Sequence, residues 1–407
     1  MNHSILSVSA LLLGTSALFG QGSAFQTPGM PRQVYSPPKE GTSQDNSGQA
    51  SRFSSVFNPA FSFVGDIVGD YRSGGEEVGW NAELRSLELG AQAWVDPTAW
   101  AYFTAVSDGE SLDIEEAALH YKGLGERETL RVGKFFLDFG KQMQTHIHEL
   151  RTLERPLVLR EYLGDEVSGT GVQWDHWFSA NDTTAVRFSL GAFSSLLPEH
   201  GHGEEEEPEA EAEVAGRKSI GNLNYSARVT GFTDVGTNGT LQLGTSARIV
   251  PDFAFVDEDG GGEVGGLDNT VWGLDVTYGW KDETATKSFT AGLEFLVNSG
   301  DVGAELGAAP GDAPIVANGT RTGWLLFADH GLDPNNSIGL QISMAELADA
   351  DKTEALEIEA YYTRYLSEFH RIRFGLSTLD VDGADESFRA AVQYTFFVGA
   401  HGHGVNW

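Results

Sequence analysis

The sequence predicts an all-β protein, a transmembrane antiparallel β-barrel of about 16 strands, on the basis of three observations. From residue 57 onward, apolar and polar residues alternate with a period of two, as they do in strands whose two faces meet different surroundings. The connections between these strands alternate in length, with short periplasmic turns on one side and long extracellular loops on the other. The 407 residues include 50 Gly, 11% aromatic residues and no Cys, which favours turn-rich β-structure and excludes disulfides.

The first 24 residues are expected to be a secretory signal peptide. An apolar run from Ile5 to Gly20 is followed by small residues, and it is short for a transmembrane helix. A buried N-terminal helix is the alternative. Residues 25–55 are rich in Pro, Ser and Gly, which indicates a flexible leader. We expect the barrel to occupy residues 56–398 and a His-containing tail to occupy residues 399–407.

Sixteen strands are predicted after the leader. They are expected to begin near residues 57, 80, 98, 111, 127, 169, 183, 219, 238, 268, 286, 319, 335, 352, 369 and 386. The fourth of these changes its apolar face midway, and the third and twelfth are apolar on both faces. A soluble sandwich or propeller would also alternate, but neither has a reason to sort its loops by length, so the barrel is favoured.

The long connection at residues 140–168 is rich in charge and is predicted to fold into the lumen as a constriction. Opposed charges across a constriction create a transverse field that filters solutes by charge. The alternative is that these charges pair with one another and fasten a lid. The predicted pore residues of this loop and of the strands are Lys141, Glu149, Arg151, Arg155, Arg160, Arg228, Arg248, Glu357, Glu359, Arg371 and Arg373.

Three histidine pairs are candidate metal ligands, because neutral imidazoles suit zinc, copper or nickel. His146 and His148 are two residues apart, so on an extended segment both rings point the same way, with Glu149 as a candidate third ligand. His200 and His202 lie in a loop with eight Glu between residues 199 and 213, and His401 and His403 repeat the same His-Gly-His pattern in the tail. A solvated acidic loop is the alternative for the second pair. No cofactor is expected to be required, and Zn²⁺ or another divalent cation is the candidate ligand.

Four stretches of the sequence resemble a family of Gram-negative outer-membrane proteins often labelled zinc-regulated outer-membrane receptors. These stretches are FNPAFSFVGD from Phe57, GKFFLDFGKQMQTHIHEL from Gly133, RPLVLREYLGDEVSGTGVQW from Arg155 and FFVGAHGHGVNW from Phe396. The resemblance implies a barrel and links His146, His148 and His401 to zinc-responsive transport. The family is distantly similar to phosphate-selective porins, but the predicted lumen has no excess of Arg, so phosphate selectivity does not carry over.

The formal net charge of -33 argues against nucleic acid as a partner, since nucleic-acid binding needs a basic face. Five stretches on the predicted extracellular side contain 24 acidic residues and no Lys or Arg, which predicts an acidic vestibule over a mixed-charge pore. These stretches are residues 199–213, 251–268, 299–319, 346–351 and 380–386.

The leading functional hypothesis is a porin-like channel of the cell outer membrane for passive diffusion of small hydrophilic solutes or divalent cations such as zinc. The alternative is a non-conducting zinc-binding or receptor barrel that collects metal through its His/Glu loops. We expect no enzymatic activity, since no nucleophile for a hydrolase is evident. Outer-membrane lipid is the expected partner, and a homotrimer is a candidate assembly by analogy with trimeric porins.

Overall fold

A computed structural model describes residues 59–74, 78–109, 111–197, 211–214, 216–256, 262–305 and 314–399. The predicted signal peptide and leader lie outside these residues. So do His200 and His202 of the acidic loop and His401 and His403 of the tail. No helix among the described residues is long and apolar enough to cross a bilayer.

Sixteen antiparallel strands form one closed barrel, and a short additional strand, β8, extends the wall beside a long loop. The strands are β1 (Ala60–Ser73), β2 (Gly79–Asp96), β3 (Ala99–Ser107), β4 (Asp113–Tyr121), β5 (Glu128–Phe136), β6 (Ser168–Asn181), β7 (Thr184–Phe193), β8 (Glu211–Val214), β9 (Asn224–Val235), β10 (Gly239–Val256), β11 (Glu263–Lys281), β12 (Ser288–Glu305), β13 (Ile315–Asp333), β14 (Asn336–Glu346), β15 (Glu354–Ser367), β16 (His370–Val381) and β17 (Ser387–Gly399). The predicted barrel and its sixteen long strands are confirmed.

The barrel closes where β1 pairs with β17, from Ser62 opposite Gly399 to Ser73 opposite Phe388. Each other barrel strand pairs with its neighbour in the sequence, and β7 pairs with β9 because β8 lies against the loop end of β10. The predicted start of the eighth long strand near residue 219 is early, because a 3-10 turn at Ile220–Asn222 precedes β9.

Loop length segregates as the sequence predicted. The four longest connections between barrel strands, residues 137–167, 194–223, 306–314 and 347–353, all lie at the same end of the barrel, and β1 begins and β17 ends at the opposite end. At that opposite end, four connections are only two residues long. They are the turns that follow β2, β6, β13 and β15. Long loops on one side and short turns on the other are typical of outer-membrane barrels.

The two faces of the wall are inverted relative to a soluble protein. Large apolar side chains point outward and are exposed, among them Phe61, Leu89, Val172, Leu190, Leu243, Leu293, Leu340, Leu376 and Val392. Polar side chains point inward and are buried, among them Asp66, Ser86, Gln173, Arg187, Thr230, Gln242, Thr277, Ser343 and Gln393. Because each backbone group of a closed barrel is paired and the outer face is apolar, this wall suits a bilayer.

Residues 137–167, which we call the inner loop, fold into the barrel between β5 and β6. The loop contains a 3-10 turn at Ile147–Glu149 and a short helix, α1, at Leu157–Leu163. Its apolar side chains form one core with Leu325 and Phe327 on the inner face of β13. The twelfth predicted strand is apolar on both faces because its inner face packs against this loop, while its outer face is exposed.

Candidate functional site in the barrel lumen

Two arginines of β16 hold the backbone of the inner loop. Arg373 donates a hydrogen bond from Nη1 to the carbonyl oxygen of Thr152 over 2.6 Å, and Arg371 donates to the carbonyl oxygen of His148. Both arginines are buried, at 1% exposure. Their charged hydrogen bonds anchor the loop at two neighbouring points, because charge-assisted bonds to buried acceptors are strong.

Two glutamates of β15 hold the same loop from the adjacent strand. Glu359 accepts a hydrogen bond from the backbone N–H of Leu153 over 2.8 Å. Glu357 accepts from the N–H of Leu157 over 3.1 Å and from Arg160 Nη2 over 2.7 Å, at the start of α1. The glutamate pair therefore satisfies backbone donors of the loop that have no partner within it.

The remaining predicted pore residues have separate partners. Arg155 stays within the loop and donates to the carbonyl oxygens of Gln142 and Thr145, each over 2.8 Å. The guanidinium of Arg151 lies 4.4 Å from the ring centre of Phe327, and the backbone N–H of Glu149 closes the 3-10 turn on His146.

Two predicted pore residues of the wall bind polar side chains of β11, one from the adjacent strand and one from the strand beyond it. Arg228 of β9 forms two hydrogen bonds with Asp275 of β11, over 2.9 and 3.0 Å. Arg248 of β10 donates to Asn269 Oδ1 over 2.6 Å. Arg228 also lies 3.4 Å from Asp138, a loop residue that the sequence interpretation missed and that pairs with Arg187 at 2.6 Å.

Lys141 lies half-buried in the inner loop. Burial lowers the pKa of Lys141 to about 7, and the nearby charges of Arg151 and Arg228 act in the same direction, against Asp275 and Glu294. This amine is therefore a titratable charge of the loop near neutral pH.

His146 lies at the centre of a buried cluster of carboxylates. Its Nδ1 atom is 2.9 Å from Glu115 Oε2 and 3.9 Å from Glu88 Oε1, and its Nε2 atom is 3.2 Å from Glu116 Oε2. Burial opposes a charged imidazole, but Glu115 and Glu88 outweigh it and raise the pKa of His146 well above its ordinary value. The carboxylates therefore favour a positive charge on His146.

His148 joins the cluster from the next turn of the loop, with its Nδ1 atom against Glu88 Oε1. Burial lowers the pKa of His148 to about 3, so its imidazole is neutral. The rings of His146 and His148 lie 5.8 Å apart, centre to centre. The two predicted histidines are thus brought together, and Glu88 lies beside both of them.

A β-bulge explains why two adjacent glutamates of β4 face the lumen. Glu116 pairs with Thr104 and Ile114 pairs with Ala105, which leaves Glu115 as the extra residue of β4. An extra residue interrupts the alternation of faces, so both carboxylates are buried beside His146. The sequence signal was the change of apolar face midway along the fourth predicted strand.

No protein-family model matches the chain, and no curated protein matches its sequence. Solved structures of outer-membrane proteins do match its fold. OprB from Pseudomonas putida is similar with a TM-score of 0.55 and 11% identity over 84% of this chain and 94% of that chain. An anion-selective porin from Comamonas acidovorans has a TM-score of 0.53 and 11% identity over 84% of this chain and 99% of that chain.

OmpT, an outer-membrane protein of Vibrio cholerae, is similar with a TM-score of 0.52 and 10% identity over 84% of this chain and 98% of that chain. At such low identity the similarity concerns the fold. The chain has the closed sixteen-strand fold of outer-membrane porin barrels.

Proposed function

We propose that the protein is an outer-membrane, porin-like channel through which small hydrophilic solutes diffuse passively. The observation that supports this proposal is the closed wall, apolar outside and polar inside, so that any polar route through the protein runs along the barrel axis. The similar solved structures include porins, which agrees with a channel and with a location in the outer membrane. Diffusion through such a channel needs no enzymatic chemistry and no required cofactor.

The inner loop supports the narrow part of the route. Four of the predicted pore residues fasten the loop to the wall: Arg371, Arg373, Glu357 and Glu359. The fastening and the constriction are therefore two aspects of one arrangement. The loop also contacts other parts of the wall, through Gly140 to Ser246 of β10 and through Gln142 to Glu294 of β12.

The acidic vestibule is the second part of the proposal. Acidic side chains are exposed at the loop end of the barrel, including Asp252, Asp268, Asp351, Asp382 and Glu386. A ring of like charges at the mouth concentrates cations and repels anions, with a strength that falls as salt rises. We therefore propose that the entrance favours cations, divalent ones such as zinc included.

Planar-bilayer recording of the purified protein tests the channel. We expect discrete conductance steps, and a zero-current potential in asymmetric KCl whose sign shows cation preference and whose size decreases at high salt. Replacing Asp252, Asp268, Asp351 and Asp382 with Asn is expected to reduce that preference. A bilayer that stays silent after verified insertion would exclude the channel.

A non-conducting, metal-binding barrel is the second candidate, and one observation favours it. The inward-facing side chains of the barrel strands are buried, as at Gln242 and Thr277, so side chains fill much of the described lumen. A silent barrel that binds zinc would support this candidate. The histidine pairs proposed to collect metal are His146 with His148, His200 with His202 and His401 with His403.

The assembly proposed for the channel is a homotrimer in outer-membrane lipid. One solved structure of the similar OmpT is of a trimer form. Analytical ultracentrifugation in detergent tests the assembly, since a monomeric mass for folded protein would exclude it.

A further inference from the structure

The cluster around His146 has the geometry of a metal site. One oxygen of Glu88, one oxygen of Glu115 and one ring nitrogen of His146 all lie within 4.8 Å of one another, and all three residues are buried. Tetrahedral ligands at bond lengths of about 2.1 Å are about 3.4 Å apart. The separations of 2.9 and 3.9 Å between His146 Nδ1 and the two carboxylates lie on either side of that value.

Glu116 orients the imidazole for this role. Its Oε2 atom faces His146 Nε2 at 3.2 Å, while its Oε1 atom accepts hydrogen bonds from Tyr102 Oη over 2.9 Å and from the N–H of Phe136 over 3.2 Å. A carboxylate that accepts the Nε2 proton leaves the lone pair of Nδ1 directed at Glu88 and Glu115. The same carboxylate–histidine arrangement orients imidazole ligands in metalloproteins.

Glu88 is the second, independent sign of a ligand. It is 1% exposed, and neither of its carboxylate oxygens accepts a hydrogen bond from the described part of the chain, although His146 and His148 lie against Oε1. A buried carboxylate without donors is unfavourable unless a proton or a metal cation neutralises it. Within the same part of the chain, neither Glu88 nor Glu115 forms an ion pair with Lys or Arg.

We propose that Glu88, Glu115 and His146 bind one divalent transition-metal ion inside the barrel, and that His148 is its fourth ligand. The mixture of imidazole nitrogen and carboxylate oxygen suits Zn²⁺ and disfavours Mg²⁺, which prefers oxygen ligands and water. Because Glu88 belongs to β2, Glu115 to β4 and the histidines to the inner loop, the ion would link the loop to the wall. This metal-site proposal rests on the proposed channel function only in one respect, which is the route by which the ion reaches the site.

Zinc binding to the purified, folded barrel in detergent micelles tests the site by equilibrium dialysis. The background variant carries His200, His202, His401 and His403 replaced by Ala, so that the acidic loop and the tail contribute little. We expect one tightly bound Zn²⁺ per chain in this background, and an excess of Mg²⁺ does not displace it. In the same background, Glu88→Gln, Glu115→Gln and His146→Asn, made singly, are each expected to weaken binding at least tenfold.

The matched control is the double variant Glu128→Gln with His176→Asn. This Glu–His pair lies at the turn end of β5 and β6, with 3.3 Å between His176 Nδ1 and Glu128 Oε1. Its removal is expected to leave zinc binding unchanged. Heat-modifiable mobility on SDS gels confirms that each variant is folded before it is compared.

Hydrogen exchange of the amides of residues 143–150 gives a second readout. Bound zinc is expected to slow this exchange in the background variant and not in Glu88→Gln. The site is excluded if the background variant binds no zinc, or if all three single variants bind it as tightly as their parent. Zinc binding by a barrel without conductance would exclude the channel and retain the site, so the two proposals fail separately.

Discussion

Lys141 is the residue through which pH is expected to act on the proposed channel. Burial and the neighbouring Arg151 and Arg228 hold its pKa at about 7, so the amine is protonated below this pH and neutral above it. We expect cation preference to increase as pH rises from 6 to 8, because a positive charge leaves the loop. The zero-current potential in asymmetric KCl, measured across this range, checks the prediction.

The control for Lys141 is Lys141→Met, which keeps the length of the aliphatic chain and removes the charge. This variant is expected to show the high-pH selectivity at every pH in the range. If it retains the full pH dependence of the parent, another group is responsible.

Glu115 shows why part of the cluster around His146 could not be predicted from the sequence. Alternation assigns Glu115 and Glu116 to opposite faces, and only the pairing of β3 with β4 reveals the bulge that turns both inward. His146 and His148 were found because the histidine spacing is visible in the sequence. Glu88 was missed because one acid on a polar face resembles any other lumen residue until the loop is in place.

The contacts between the inner loop and the barrel wall can be removed one at a time by substitution. Replacing Glu357 with Gln removes the charge that binds Arg160 Nη2 at 2.7 Å. Because this pair is partly exposed, we expect a local cost of about 1 kcal/mol, which is about a fivefold increase in opening of α1. Hydrogen exchange of the α1 amides measures this change.

Glu354→Gln, on the same strand but exposed at the rim, is the matched control for Glu357→Gln. In this variant, hydrogen exchange of the α1 amides is expected to be as slow as in the parent protein. Equal exchange in Glu357→Gln and in the parent would show that Glu357 does not hold the helix.

Excising the inner loop tests whether it limits conductance. Phe136 pairs with Ser168, and Leu137 donates its N–H to the carbonyl oxygen of Val167 over 2.8 Å, so a short Gly-Ser turn joins the strands without strain. We expect a larger single-channel conductance after residues 138–166 are replaced by such a turn, because the proposed constriction is removed.

A Gly-Ser segment of the original length is the control for the excision, since it keeps the chain in place and removes the anchoring side chains. We expect it to give noisy currents of intermediate size. Parent-like conductance in the excised barrel would place the narrowest point elsewhere.

The strands themselves were largely predictable, because the bilayer and the lumen impose a period of two on every strand. The exceptions have local causes. A 3-10 turn delays β9, and the inner face of β13 is apolar because it packs on α1. That the loop carries its own apolar core was not predictable, since the pattern of a buried loop depends on partners far away in the sequence.

At the scale of the whole molecule, the outer face must match the hydrocarbon of the membrane. Val392 lies at the middle of β17 and is 44% exposed. Val392→Arg is expected to destabilise the folded barrel by about 2–4 kcal/mol, because it places a charge at the bilayer midplane. Urea unfolding in lipid vesicles measures this loss.

Val392→Leu keeps the apolar surface at the same position and is expected to unfold at nearly the parent urea concentration. If Arg were tolerated as well as Leu, this face of β17 would not contact lipid hydrocarbon.

Closure of the barrel by β1 and β17 makes its assembly all-or-none. Until β17 arrives, the outer edge of β1 has no partner for its backbone groups, and in hydrocarbon each unpaired group costs several kcal/mol. The pairing of β1 is therefore complete only after β17 has been synthesised, and a chain that lacks β17 cannot form the closed barrel. A nascent chain remains dependent on protection from aggregation until its final strand is available.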